Sequence, residues 1–229
     1  YTRGWAYLVA LWWADSSGHP ISHTNLPIRG KLVWPIVNEQ LDRALALKPT
    51  HLSFNGGGND ILRPRTKASD IVDAFAQVLR RCDEEGVRMI LLSGANPSKQ
   101  LPMGSVFQRR GDELSRAVDV HFTGRDDVFR ALNWPDDELA TPPYWSEDRL
   151  HMNVRGHHRV AARVLDAVGQ QAPEEWWSLP EIETVGPRGW DYYREHVGPW
   201  IQRRLTRTSS GDGREPKYGL WHVMEPAER

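Results

Sequence analysis

The run Val87 to Leu92 constrains the fold more than any other stretch of the chain. It is short, almost wholly apolar and lies between two amphipathic helical patterns. A strand with no polar face must be covered on both sides, which places it inside a parallel sheet. Its flanks agree. Asp70 to Glu85 carries Ile71, Phe75, Val78 and Leu79 at helical spacing, with Ser69 as the predicted cap and Gly86 as the stop. Val106 to Val118 is a second amphipathic helix.

The same alternation extends in both directions. Gly4 to Ala14 reads as a helix through Trp5, Leu8, Val9 and Trp12, and Asp15 to Pro20 as a turn. Ile21 to Leu26 is a short strand. Lys31 to Leu47 is a helix with Leu32, Ile36, Val37, Leu41 and Leu45 on one face, Pro35 lying near its start where proline costs least. His51 to Asn55 is a strand ending in Gly56-Gly57-Gly58-Asn59-Asp60. Val118 to Phe122 reads as a fourth strand, Arg125 to Leu132 as one or two helical turns, and Asn133 to Glu147 as a proline-rich loop. Asn153 to Val168 is a further helix. Strand and helix in alternation predict a three-layer α/β/α domain on a flavodoxin-like parallel sheet. Four strands are counted, and the chain opens on a helix with no strand before it, so the first strand of such a sheet is missing. The domain is expected to span residues 1–172. Residues 173–229 form a C-terminal extension, with a helix over Trp190 to Leu205 and a flexible tail over Ser209 to Pro216.

Several classes of function are excluded or disfavoured. The formal net charge of −1 gives no global field toward nucleic acid or an anionic membrane. No apolar run approaches the ~18 residues of a membrane span. The single cysteine, Cys82, forbids an intrachain disulfide framework and falls in a helical pattern as a buried structural thiol. No signal segment is visible, which favours the cytoplasm, although the chain starts at Tyr1 inside a helical pattern. The eleven tryptophans, two pairs among them, are expected as large core and cover residues. Gly56-Gly57-Gly58 lacks a following Gly-Lys-Ser/Thr, so it is not a phosphate-cradling loop.

Chemistry is expected beyond the carboxyl ends of the strands. Three segments fall there: Gly30, the turn Gly57 to Asp60, and the loop Trp145 to His151. Asp148 and His151 stand three apart where a polar loop gives way to a helix. That spacing lets the carboxylate take one imidazole nitrogen and leaves the other as a base. A surface Asp beside a helix-capping His gives the same pattern without chemistry, and a metal set of Asp148, His151 and His157 is weaker than either. Asn59 offers an amide, and the glycine-flanked turn offers backbone N–H groups, to a developing oxyanion, worth ~3 kcal/mol per donor. A tight turn that needs glycine only for shape is the plain alternative.

Asn25-Leu26-x-x-Arg29-Gly30, Asn55-Gly56-Gly57-Gly58-Asn59-Asp60 and Asp148-x-x-His151 resemble three of the four sequence blocks of the SGNH (GDSL-type) hydrolases. The resemblance covers roughly residues 1–170, in the right order. It implies a cofactor-free serine esterase or lipase acting on a small-molecule, carbohydrate or lipid ester. It implies His151 as base, Asp148 as its partner, and Gly30 and Asn59 as the oxyanion hole. Gly58 and Asp60 shape the turn beside the substrate. The family's first block, Gly-Asp-Ser-Leu, closes the first strand and carries the nucleophilic serine, and it is not found here. Asp15-Ser16-Ser17-Gly18 imitates it, but follows a helix rather than an apolar strand. Ser93 ends the most apolar strand with no other support. The economical expectation is an N-terminally truncated hydrolase whose serine lies upstream, and which is inactive as it stands. A pocket-retaining binding protein of the same fold is the alternative.

Overall fold

The computed structural model describes residues 3–178, 180, 190–199, 202, 211 and 213–227. Its centre is β3 (Arg88–Leu92), in which the four residues Met89 to Leu92 are all buried. β3 is flanked by β2 (His51–Asn55) and β4 (Val128–Ala131), both parallel to it, with Leu52 opposite Met89 and Met89 opposite Val128. Side chains alternate across a strand, so the two faces of this sheet feed two cores. Leu52, Phe54, Met89, Leu91 and Val128 pack with α2 (Val33–Ala46), α3 (Ala68–Glu84) and α4 (Gly104–Phe122). Ile90, Leu92 and Ala131 pack with α1 (Trp5–Ser17) and α5 (Val154–Ala167). The result is the three-layer α/β/α arrangement, with β3 interior as its composition requires.

The sheet departs from the sequence-based expectation in three places. Val118 to Phe122 is not a strand but the last turns of α4. Val118 and Phe122 are buried four residues apart while Val120 is 79% exposed, which is a helical period and not an alternating one. The strand lies instead at Val128–Ala131, inside the stretch expected to be helical, where parallel pairing to β3 overrides a weak local signal. β1 (Ile21–Asn25) does not join the parallel sheet. It pairs antiparallel with β5 (Tyr218–Met224), with Ile21 opposite Met224 and a register irregularity between His23 and Asn25. So the parallel sheet has three strands among the described residues, and β1–β5 is a separate ribbon.

Two boundaries also move. Asp15, Ser16 and Ser17 are not in a turn but continue α1, which ends at Gly18 in the left-handed region (φ 68°). Ser69 is not the cap of α3. The helix starts at Ala68, and the Asp70 carboxylate accepts the Lys67 N–H at 3.1 Å. In the extension, Trp190–Tyr192 opens α6, which runs on as a π turn over Tyr193–Val197. The rest of the helix expected up to Leu205 lies outside the described residues except Gly198, Pro199 and Gln202. So do Ser209, Ser210 and Asp212 of the expected tail. β5, which follows that tail, was not foreseen. The tryptophan pairs do act as cover: Trp12 packs on Trp176 with ring centroids 5.8 Å apart, and Trp13 on His51 at 5.2 Å. No helix among the described residues is long and apolar enough to cross a membrane.

Candidate active site

The loop that carries Asp148 and His151 is fixed at both ends before it reaches the site. Asn153 caps α5: its Oδ1 accepts the Gly156 N–H at 3.1 Å, and its Nδ2 donates to the carbonyls of Pro143 and Trp145. Trp145 is buried, and its indole N–H donates to the Leu139 carbonyl at 2.8 Å. A single bridge joins Trp145 to Met152. Between them the chain turns sharply, with the Arg149 N–H on the Ser146 carbonyl (2.8 Å) and the Ser146 N–H on the His151 carbonyl (2.7 Å). Arg149 takes φ 57°, a left-handed conformation that is costly for a residue with a side chain.

That turn wraps the Asp148 carboxylate in donors. Oδ1 accepts the backbone N–H of Leu150 at 3.0 Å and of His151 at 2.9 Å. Oδ2 lies 2.5 Å from His151 Nδ1. Burial pushes the carboxyl upward, but the hydrogen bonds from the His151 ring and backbone outweigh it. The carboxyl is held well below the ordinary carboxylate range. Asp148 is therefore ionised at neutral pH and an acceptor only. In the neutral ring His151 must donate from Nδ1, which makes Nε2 the lone-pair nitrogen. The Arg29 guanidinium agrees with this tautomer: it has only donors, and its Nη2 lies 2.9 Å from Nε2.

Gly30, Asn59, Asp148 and His151 all line one large cleft of about 1980 Å³. Gly30 turns in the left-handed region (φ 77°) beside Arg29. Asn59 is exposed, and its Nδ2 donates to the Lys31 carbonyl at 3.1 Å, so the two segments named for the oxyanion hole are tied together. The turn needs a glycine at Gly57 rather than at Gly58. Gly57 has φ 86°, and a Cβ there would sit 2.9 Å from Ile71; Gly58 faces open space. Asp60 is buried at 4% exposure. Its carboxylate accepts the Val33 N–H at the start of α2, and burial raises its pKa.

The three serines singled out from the sequence are engaged elsewhere or stand outside the cleft. Ser16 and Ser17 hydrogen-bond back to the carbonyls of Trp13 and Ala14, and neither lines the cleft. Ser93 lines it, but its Oγ accepts the Trp134 N–H at 2.8 Å. Among the described residues, no serine hydroxyl is hydrogen-bonded to His151. His157 also lines the cleft; burial, with lesser contributions from His158 and His151, lowers it to about 4, so it stays neutral. No group of three or more His, Cys, Asp or Glu among the described residues is placed to hold a metal ion. Sequence reasoning missed Arg29 as a neighbour of His151, although it stands next to Gly30. It also missed Tyr192, whose hydroxyl donates to the Asp148 carbonyl at 3.3 Å from a segment with no local signature.

The structure resembles an esterase, EstA from Pseudoalteromonas sp., crystallised with monoethylphosphonate as inhibitor. The identity is 18%, covering 72% of this chain and 86% of that one, with a TM-score of 0.51. Lower scores of 0.47 each relate it to LAE5, an α/β hydrolase enzyme from the metagenome of Lake Arreo, Spain, and to the lipase Lip_vut3 from a goat rumen metagenome. LAE5 is 22% identical, over 61% of this chain and 69% of that one; Lip_vut3 is 15% identical, over 60% and 73%. No curated protein matches the sequence. The model of the GDSL-like lipase/acylhydrolase family matches residues 1–159, which include every block that carries the site, and the chain belongs to that family.

Proposed function

We propose that the chain forms the greater part of a serine carboxylic-ester hydrolase, whose nucleophile sits on a strand N-terminal to Tyr1. The observation that carries this proposal is the placement of His151: Nδ1 lies 2.5 Å from the ionised Asp148, and Nε2 faces the Arg29 guanidinium at the rim of the cleft. In the reaction, a serine Oγ attacks the ester carbonyl carbon while His151 Nε2 takes its proton. The Arg29 guanidinium yields its place at Nε2 to the hydroxyl. The carbonyl oxygen becomes an oxyanion held by the Gly30 N–H and the Asn59 amide, which has a second N–H beyond the one on Lys31. Collapse expels the alcohol, protonated by the imidazolium, and leaves an acyl-serine. Water, deprotonated by the same nitrogen, then releases the carboxylic acid. No step calls for a cofactor.

Where the serine strand would enter is supported by the sheet itself. Among the described residues, β2 pairs only with β3 and β1 only with β5. Residues of both strands, Ile21 to Asn25 and His51 to Asn55, line the cleft. Helix α1 contributes Val9 and Trp13 to its wall, and α2 contributes Ile36 and Leu41. The side-chain atoms Nε2 of His23 and Nε2 of Gln40 are buried there with no partner. An extended segment between β1 and β2 would satisfy backbone edges that a folded sheet does not leave open at its centre.

The test is a recombinant chain extended upstream to include the next ~30 residues of its reading frame, a length that holds a strand and a turn. Turnover of p-nitrophenyl acetate and fluorophosphonate labelling of one serine in the added segment, both lost in His151→Ala, are the expected results. No turnover and no labelled serine would leave a pocket-bearing binding protein in place of the enzyme.

A further inference from the structure

The family match ends at residue 159, but the dyad loop is gripped from beyond that point. Tyr192, in the C-terminal extension, is only 3% exposed. Its hydroxyl donates to the Asp148 carbonyl at 3.3 Å, and its ring lies under the Arg149 guanidinium, 4.0 Å from centroid to Cζ. These are the two residues whose backbone shape sets the site. The left-handed Arg149 folds the chain back, so that the N–H groups of Leu150 and His151 both reach Asp148 Oδ1. An arginine does not hold φ 57° without support from its surroundings. Two contacts from one aromatic side chain, one on each side of the strained bond, provide that support. The ring is itself held by neighbours in its own segment, Tyr193 at 5.8 Å and His196 at 5.5 Å between centroids.

We infer that Tyr192 is a positioning residue: the C-terminal extension clamps the Asp148–His151 turn through it and so fixes the imidazole tautomer that the base requires. The inference rests on the esterase proposal for its catalytic meaning, but its geometry stands apart from it. The extension is thereby part of the site. Removing the clamp weakens the hold on the left-handed turn at Arg149, loosens the Asp148 carboxylate from Nδ1, and raises the share of the tautomer with the proton on Nε2, where it blocks the base.

The test uses the 229-residue chain with no substrate. The ratio of Nδ1–H to Nε2–H tautomers of His151 is read from imidazole ¹⁵N shifts, about two pH units above the ordinary histidine value. The wild type is expected to be predominantly Nδ1–H. In Tyr192→Leu the ratio falls about tenfold, the equivalent of one lost charge-assisted contact. In Tyr192→Phe, which keeps the ring, it falls by less. Amide exchange along α5 is expected to stay at the wild-type rate, which a general loss of structure would not allow. If Tyr192→Leu does not fold, Arg149→Gln, which removes the charge from the ring, takes its place with the same criterion. An unchanged ratio in every folded variant overturns the clamp. In the upstream-extended chain, loss of hydrolysis in His151→Ala is a separate readout, so an inactive wild type with a responsive tautomer refutes the esterase proposal alone. An active wild type with an unresponsive tautomer refutes the clamp alone.

Discussion

Asp136 is the carboxylate on which the loop before the site hangs, and replacing it with asparagine has a calculable cost. Its side chain is 3% exposed and receives Arg159 Nε at 2.7 Å, Arg159 Nη2 at 3.0 Å, Arg163 Nη2, and the Leu139 N–H at 3.1 Å. Asparagine keeps one acceptor oxygen for Leu139 but turns an NH₂ group toward two guanidinium groups, donor against donor. Breaking a buried pair from one side costs about 3–5 kcal/mol. The lower end applies, because Arg163 is a quarter exposed and Arg159 keeps Glu138 at 3.1 Å. We expect Asp136→Asn to lose about 3 kcal/mol in urea unfolding at pH 7, and about 6–12 °C in Tm for a chain of this size. Burial pushes the Asp136 carboxyl up, but the arginines and the Leu139 N–H hold it below its ordinary value. Its contribution is therefore complete above the unfolded value near ~4 and is lost as pH falls through the folded value. The gap between wild type and variant should narrow in acid. A loss under ~1 kcal/mol at pH 7, or a gap that does not change between pH 7 and pH 3, would refute this account.

Three more outcomes are expected. Asp148→Asn offers an NH₂ group to His151 Nδ1 and so favours the Nε2–H tautomer; in the upstream-extended chain, kcat should fall by ~10³–10⁴ with the fold intact by circular dichroism. Gly111→Ala places a Cβ about 1.9 Å from the Trp134 ring, which is buried and donates its indole N–H to Asp112, so a loss of ~2–3 kcal/mol in urea unfolding is expected. Cys82 is buried and its thiol is pushed up to about 11, chiefly by desolvation, so it should stay unreactive toward Ellman's reagent until the chain unfolds.

The parts legible in the sequence were those where local pattern and tertiary demand agree. Ile71, Phe75, Val78 and Leu79 show both the helical period of α3 and the face that packs against the sheet. The all-apolar Met89 to Leu92 states its own interior position. The dyad was legible because its contacts span only three residues. What was missed depended on distant partners. β4 is four residues long and becomes a strand only beside β3. β5 follows a glycine-rich polar stretch and finds its partner in β1, about 200 residues earlier in the chain. The Asp136 network had a faint trace, since Arg155, Arg159 and Arg163 recur at four-residue spacing, and Arg159 and Arg163 meet Asp136, with Arg159 also on Glu138. A row of arginines on one helix face usually points to water, and here burial turned it inward.

The positions of Arg29 and Tyr192 give the site ties that its motifs do not disclose. The side proposed to hold the oxyanion, Gly30 and Asn59, is tied together through Lys31. The side of the proposed base, His151, is held by α5 from behind through Asn153 and from the front by Tyr192 of the extension. The extension reaches both sides, through Tyr192 at the Asp148 carbonyl and through Gly211, which packs against the Arg29 carbonyl next to Gly30. Arg29 is the element that spans the two sides, with its backbone beside Gly30 and its guanidinium on His151 Nε2. For a serine hydroxyl to use that nitrogen, the guanidinium has to withdraw, and an arginine is always charged. Arg29→Ala in the upstream-extended chain separates two consequences. If the guanidinium only competes for Nε2, fluorophosphonate labelling accelerates. If it also steadies the base, labelling slows while the affinity for a neutral ester is unchanged. The geometry, with Nη2 within 3.3 Å of both ring nitrogens but only Nε2 able to accept, favours competition. The expected result is a several-fold faster labelling rate, and a slower rate would refute it.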